Sequence, residues 1–584
     1  TNHKTRLLGN VYGEYQLLEG LSFRTTFGLD LLFANQRRFN PESRRGDLTT
    51  KSYGEQFASN ELIWLNENTL SFHRNFGSRH DFTALAGVTA QASRFEILSG
   101  SRDQFISNQI TELDGASTAN QAASSSAREW SLLSYLGRVT YAFAGKYLFT
   151  GTVRADGSSR FGPANRFGVF PSASVGWRLS EEAFMRRVRP VSDLKLRASY
   201  GVTGNQEIDL YTYSTYVGFG RNYNFGNQVA TGVSPANITN PDVRWESTTQ
   251  ADIGLDLGLW ADRVTFTADY YVKNTDGMLV KKPISRIGGS LDAPTVNIGK
   301  VSNRGLELAL AGQVLTGTFG WTTDLNFSTN RNELVSLGGG EPIIGREITR
   351  SVEGQPIGQF YGWVTDGIFQ TEEQVTNSPR QRDGTKPGDV KFVDLPDKNG
   401  GYNNTIGDED RTFIGNPQPR YIYGLTNAFS FKGLELSVFL QGVQGNDLYN
   451  QLRENLEGMA FDANQARTTL GRWTGEGSSN VMPRAVAGDP ARNRRRSDRY
   501  VEDGSYLRVR NVTLGYSLPA KVVQALRMQR VRIYVSAQNA FTFTRYSGLD
   551  PEIGSYNQSS LASGIDYGTY PVPRTLLAGL NLSF

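Results

Sequence analysis

The sequence predicts an all-β fold: a transmembrane antiparallel β-barrel with long extracellular loops and short periplasmic turns, running through residues 1–584 as a single barrel portion. Three observations predict it. Apolar and polar residues alternate over stretches of about ten residues or more, the length a tilted strand needs to cross a bilayer. Short and long connections alternate between those stretches, which is the loop asymmetry of an outer-membrane barrel. Nowhere is there a run of about 18 apolar residues, so helical spans are excluded while barrel strands are not.

The clearest alternation is TQADIGLDLGLWADRVTFTADYYVK, residues 249–273. Ala251, Ile253, Leu255, Leu257 and Leu259 fall on one face, and Asp252, Gly254, Asp256 and Gly258 on the other. The pattern resumes with Val264, Phe266, Ala268, Tyr270 and Val272 after a tight joint at Ala261-Asp262. Successive strand side chains point to opposite faces, so in a barrel the apolar set meets lipid and the polar set the lumen. By this rule Asp252, Asp256, Asp269, Glu307, Asp324, Glu435 and Arg532 line the lumen. For one residue at a time, hydration of the wall accounts for such a side chain as well as solute contact does.

Roughly 17 strand candidates can be read in this way. They include the opening pair, Leu133–Phe143, Tyr147–Val153, Leu194–Val202, Leu306–Val314, Trp321–Thr329, Tyr421–Phe431, Leu434–Leu440, Val512–Leu518, Val531–Phe541 and Leu576–Phe584. Short joints are expected at Ala144-Gly145, Thr316-Gly317 and Lys432-Gly433, and long polar connections over Asn274–Lys300, Asn330–Arg420, Gln444–Ser505 and Thr544–Arg574. The apolar phase flips between Val509 and Val512, which predicts a bulge or a strand leaving the membrane near Asn511. LPAKVVQALRMQRV has helical spacing, with Val522, Val523 and Leu526 on one side. The last strand, LLAGLNLSF, would place Leu576, Ala578, Leu580, Leu582 and Phe584 outward. No secretory leader stands at Thr1, and the strand-like opening is expected of a segment that begins partway through a fold.

Composition narrows the function classes. The 584 residues carry 61 basic and 57 acidic side chains, a near balance that argues against a nucleic-acid surface. Mean hydropathy is −0.42. The chain has no cysteine, so sheet and packing must supply its stability. The basic run ARNRRRSDRY, residues 491–500, reads as a solvated loop edge that could touch anionic headgroups. With only three histidines, a metalloprotease cluster or a Ser-His-Asp triad has few candidates, and no nucleophile elbow or phosphate-binding loop is present. No catalytic residue is assigned, and no cofactor is required.

Two other sets carry chemistry. Asp394, Asp397, Asn399, Asp408 and Asp410 put oxygen ligands at a density that could hold Ca²⁺ or Mg²⁺ in an external loop, although the spacing is not that of an EF-hand. Tyr216, Phe219, Tyr223, Phe225, Tyr361 and Trp363 are loop aromatics able to stack on sugar rings or peptide side chains, or simply to pack within their loops.

Long stretches resemble the SusC/RagA family of TonB-dependent outer-membrane transporters of Bacteroidetes. They include VRADGSSRFGPANRFGVFPSASVGWRLSEEAF, LKLRASYGVTGNQE, GKVSNRGLEL, GQPIGQFYGWVTDGIFQ, KPGDVKFVDL, IGNPQPRYIYGLTNAFSFKGLELSVFLQG and YPVPRTLLAGLNLSF, in order along most of the chain. The resemblance implies a barrel of about 22 strands closed around a plug. It also implies a SusD-like surface lipoprotein as lid, energisation through TonB-ExbB-ExbD, and import of oligosaccharides or oligopeptides, with a dimer of SusCD pairs compatible with it. On this reading the chain is the C-terminal barrel portion, with plug and first strands outside it. GGYNNT separates Asn399 from Asp408 where the family has a compact acidic run, which weakens the metal expectation. The competing classes are a passive porin and a surface-exposed scaffold or adhesion component.

Overall fold

The computed structural model describes residues 1–45, 48–282, 293–345, 347–461, 463–525, 527–554 and 559–584. A single sheet of 17 strands dominates it, and the chain divides into two compact units. In the first unit, Asn2–Leu18, Leu21–Asn40, Tyr53–Phe76, His80–Asp103, Ala122–Phe143, Tyr147–Ser158 and Phe167–Arg178 pair in sequence order, each antiparallel to the next. In the second unit Lys300–Leu315, Phe319–Ser336, Tyr421–Phe431, Leu434–Gln444, Tyr506–Ser517, Arg530–Thr544 and Thr575–Ser583 do the same. Val191–Asn205, Glu246–Leu259 and Val264–Asp276 complete the sheet.

The alternation locates these strands because one face has no protein partner. Ile253 is 66% exposed, while Gly254 and Gly258 on the opposite face are buried. Leu576 and Leu580 are exposed in the same sense, and no helix among the described residues is long and apolar enough to cross a membrane. The strands extend beyond their apolar segments: the strand read as Leu133–Phe143 begins at Ala122, and that read as Leu306–Val314 begins at Lys300. Alternation fades where a strand leaves the apolar layer, whereas backbone pairing does not.

Turn chemistry follows the sequence at Lys432-Gly433, where φ of 46° and 88° gives the left-handed pair that matches strand twist. Ala144-Gly145 adopts the same signs of φ. The joint at Ala261-Asp262 is longer than two residues: Trp260, Ala261 and Asp262 all have positive φ between strands ending at Leu259 and starting at Val264. The expected bulge is present, as register shifts between Val509 and Asn511 against both neighbouring strands. The helical segment is the short helix Ala520–Ala525, in which Val523 is buried and Val522 exposed. Leu526 lies outside the described residues, as do 283–292 of the connection after Asn274.

The hydrophobic cores sit in the connections. In the second unit Ile348, Phe360, Tyr449, Tyr500, Ala562 and Ile565 form one cluster. Ile368, Val390, Phe392 and Ile406 form another, with Trp363 and Trp473 against it. Small sheets frame them, including Gln359–Trp363 paired with Arg411–Gly415 and Thr365–Ile368 paired with Val390–Phe392. In the first unit Phe161, Ile208 and Val243 pack with Tyr213, Trp245 and Leu279.

The basic run 491–500 corrects the expectation of a solvated edge. Ala491, Asn493, Ser497 and Tyr500 are buried, and Arg499 pairs with the buried Glu457 at 3.4 Å. Arg495 and Arg499 are drawn inward by aromatic faces and a carboxylate that come from elsewhere in the chain, while Arg492 stays exposed.

Candidate functional site

On the polar face of the second unit, Arg532 donates through Nε to Glu435 at 3.0 Å, and Arg530 stands 3.7 Å from the same carboxylate. Gly515 is opposite Glu435, and a Cβ there would crowd the Arg532 guanidinium, so the glycine lets Arg532 reach across one strand. Asp256 accepts from Thr267 at 3.4 Å and lies 3.8 Å from Lys195. Asp269 and Glu307 line one cavity of about 290 Å³ with Thr267, Asn326 and Tyr423. Asp324 stands opposite Thr426, on the same face as its strand partners. Asp252 lies beside the exposed Ile253 on the alternate face.

The six loop aromatics divide between the units. In the first, Tyr216 precedes the short strand Val217–Phe219, and Tyr223 and Phe225 lie on Tyr223–Phe225, each strand paired in a small hairpin. Phe219 and Phe225 are 79% and 76% exposed, and Tyr223 meets Phe225 edge-on at 6.5 Å. In the second unit Tyr361 and Trp363 are half-buried. Arg350 lies 3.9 Å over the Tyr361 ring, Arg411 and Arg495 lie 5.1 and 5.4 Å from the Trp363 ring, and Trp363 donates to the Gly407 carbonyl at 2.8 Å. Those contacts give both rings a packing role in the loop sheets.

In the acidic loop, backbone amides take up the carboxylates. Asp397 accepts from Asn399 and Gly401 at 2.8 and 2.9 Å, and those donors hold its carboxyl below the ordinary range. Asp410 accepts from Leu395 and Gly407 at 2.8 and 2.7 Å, and Asp394 from Asn404 at 2.9 Å. Burial, and then the charge of Asp410, push the Asp394 carboxyl up. Asp408 stands 3.5 Å from Arg411. Among the described residues, no group of three or more His, Cys, Asp or Glu is placed to hold a metal ion.

A set that sequence reasoning missed lies in the first unit: Glu61, Phe95, Arg128, Trp130 and Arg160 line a cavity of about 790 Å³. Arg128 and Trp130 are two apart on one strand, a same-face signal that was legible, but only strand register brings Glu61 and Phe95 beside them.

An antiparallel meander with an unpartnered apolar face and folded domains in its long connections defines an outer-membrane β-barrel protein. The chain belongs to the family described as TonB dependent receptor-like, beta-barrel, whose profile matches residues 2–540. It is 33% identical over 592 residues to TonB-dependent receptor P3 of Formosa agariphila, covering 98% of this chain and 58% of the relative. It is 34% identical over 468 residues to TonB-dependent receptor SusC of Bacteroides thetaiotaomicron, covering 78% of this chain and 44% of the relative. Among solved structures, that of the RagAB peptide transporter matches the whole chain with a TM-score of 0.84 at 25% identity, over 62% of its own length. The chain thus spans less than two thirds of each of these relatives.

Proposed function

We propose that the chain is the barrel portion of a SusC-like importer of oligomeric nutrients, oligopeptides or oligosaccharides, that works with a SusD-like lipoprotein lid and is energised through TonB. The observation that carries this reading is the match of the whole chain, at 25% identity, to a protein solved as a peptide transporter. The 34% identity to SusC supports it from sequence. The wide polar face of the strands, with charges such as Asp269, Glu307 and Glu435, suits the passage of hydrated solutes. Long connections folded into packed domains suit capture before passage.

Uptake of labelled oligomers by cells expressing the protein tests the proposal. Accumulation that stops when TonB is deleted is the expected result. Uptake that continues down the gradient without TonB would instead mark a porin. The lid is tested by purifying the protein from outer membranes, where a lipoprotein partner is expected to remain bound.

A further inference from the structure

We propose that the cavity of about 790 Å³ in the first unit is a carboxylate subsite for short peptides, with Arg128 taking the carboxylate. The inference rests on the importer reading and names the class of solute.

One side of the cavity is lined by Glu61, Phe95 and Arg128, which belong to a longer cross-strand row. Arg6, Leu32, Glu61, Phe95 and Arg128 stand opposite one another on five consecutive strands. Directly opposed residues share a face. Glu61 is fifteen residues from the strand end at Phe76, and Arg128 fifteen from Phe143, counting from the short-turn side. At about 3.4 Å per residue and a tilt near 45°, the row lies roughly 35 Å from those turns, beyond a hydrocarbon layer of about 30 Å and toward the long loops.

Most charges in the wall are already matched. Arg160 donates to the Ile208 carbonyl at 2.7 Å and lies 3.3 Å from Glu207. Lys281 stands 2.9 Å from Asp209. Glu61 lies in the field of Arg6, which itself holds Asp30 through two hydrogen bonds of 2.8 and 2.6 Å. Arg128 differs: among the described residues it has no carboxylate partner, and its guanidinium is exposed and lies 4.8 Å over the Phe95 ring. A guanidinium already placed over a ring loses less freedom on binding an anion than a free one does. The neighbouring Glu61 does not cancel that attraction. It lies two strand spacings away, roughly 9–10 Å, so a carboxylate about 4 Å from Arg128 is attracted about twice as strongly as it is repelled.

The remaining wall indicates what carries the carboxylate. Ile208, Leu210 and Leu279 are aliphatic, Ser93, Tyr211 and Thr295 add hydroxyls, and Phe95 already has Arg128 over one face. The aliphatic members favour apolar side chains, and the hydroxyls offer partners to backbone amides. A peptide terminus with apolar side chains uses both kinds of wall, whereas an acidic glycan has no apolar side chain to set against Ile208, Leu210 and Leu279.

The test is calorimetric titration of the purified protein in detergent with N-acetylated Leu-Ala-Leu as free acid and as C-terminal amide. The acid is expected to bind about tenfold more tightly, the effect of one charge-assisted hydrogen-bond pair. Arg128→Gln is expected to remove that preference while leaving amide binding intact, with unchanged heat-modifiable migration reporting folding. Equal binding of acid and amide by the unaltered protein overturns the proposal without recourse to a variant, and so does no binding of either. A glucuronate trisaccharide that binds more tightly than the peptide acid also overturns it, in favour of a glycan. Binding that behaves as expected while cells show no TonB-dependent uptake defeats the importer reading and leaves the subsite standing. Energised uptake that is indifferent to amidation and to Arg128→Gln defeats the subsite alone.

Discussion

The residues of the strands answer to solvent identity. Leu255 shares its face with the exposed Ile253, and Asp256 lies on the other face beside Thr267. Leu255→Arg should impair assembly by about 2–4 kcal/mol if it sits near the bilayer midplane, whereas Asp256→Asn, which weakens only partly exposed contacts, should cost less than about 1 kcal/mol. Heat-modifiable migration after outer-membrane extraction measures both, and equal tolerance would reverse the faces. In the loop cores the same scale has a pH signature. Tyr500 is buried, and desolvation pushes its phenol from 10.0 up to about 12. Below pH 10 the phenol is neutral in folded and unfolded chains and stability is at its full value. Above it the unfolded chain ionises first, so stability falls as pH rises from about 10 to about 12, by an amount on the order of 2–3 kcal/mol. Tyr449, which donates to Glu454 at 2.6 Å, is raised by burial in the same direction. Tyr500→Phe should flatten the alkaline loss seen in denaturation midpoints between those pH values.

Among the elements, hairpins and loop sheets fail differently. Gly433 takes φ of 88° in a two-residue turn, and a Cβ there would stand 2.7 Å from the Ser517 carbonyl oxygen. Gly433→Ala should destabilise the hairpin by about 1 kcal/mol or more and slow assembly, measured by the time taken to reach the heat-modifiable form. The second-unit loops depend on a buried ion pair instead. Arg484 donates to both oxygens of the fully buried Asp389 at 2.8 and 2.9 Å, and Asn493 donates to the same carboxylate at 3.0 Å. Asp389→Ala leaves a guanidinium without its partner and should cost about 3–5 kcal/mol locally. Limited trypsin digestion should then cut after Arg495 and Arg499, whose packing protects them in the native protein.

At the level of the whole molecule the usual distribution of apolar residues is inverted, with compact cores in the connections and bare apolar faces on the strands. An exposed apolar face of this extent is stable only against lipid or detergent. The protein should remain monodisperse in detergent and aggregate when detergent is withdrawn, as read by size-exclusion chromatography; a chain that stayed dispersed in plain buffer would contradict the face assignment.

The sequence by itself determined the strand number, the pairing partners of the short turns, the bulge beside Asn511 and the family. Each is written locally: a period of two survives in any window of ten residues, and a two-residue turn requires its own φ angles. The tertiary structure alone decided the fate of the charged and aromatic loop residues. Arg495 and Arg499 are drawn out of solvent because Trp363, Phe392 and Glu457 meet them from distant segments, while Arg492 stays exposed. The Arg128 cavity exists because register aligns Glu61, Phe95 and Arg128 from three strands beside distant residues such as Ile208 and Leu279. Burial of a charge depends on partners that lie far away in sequence, and no local pattern encodes where those partners arrive.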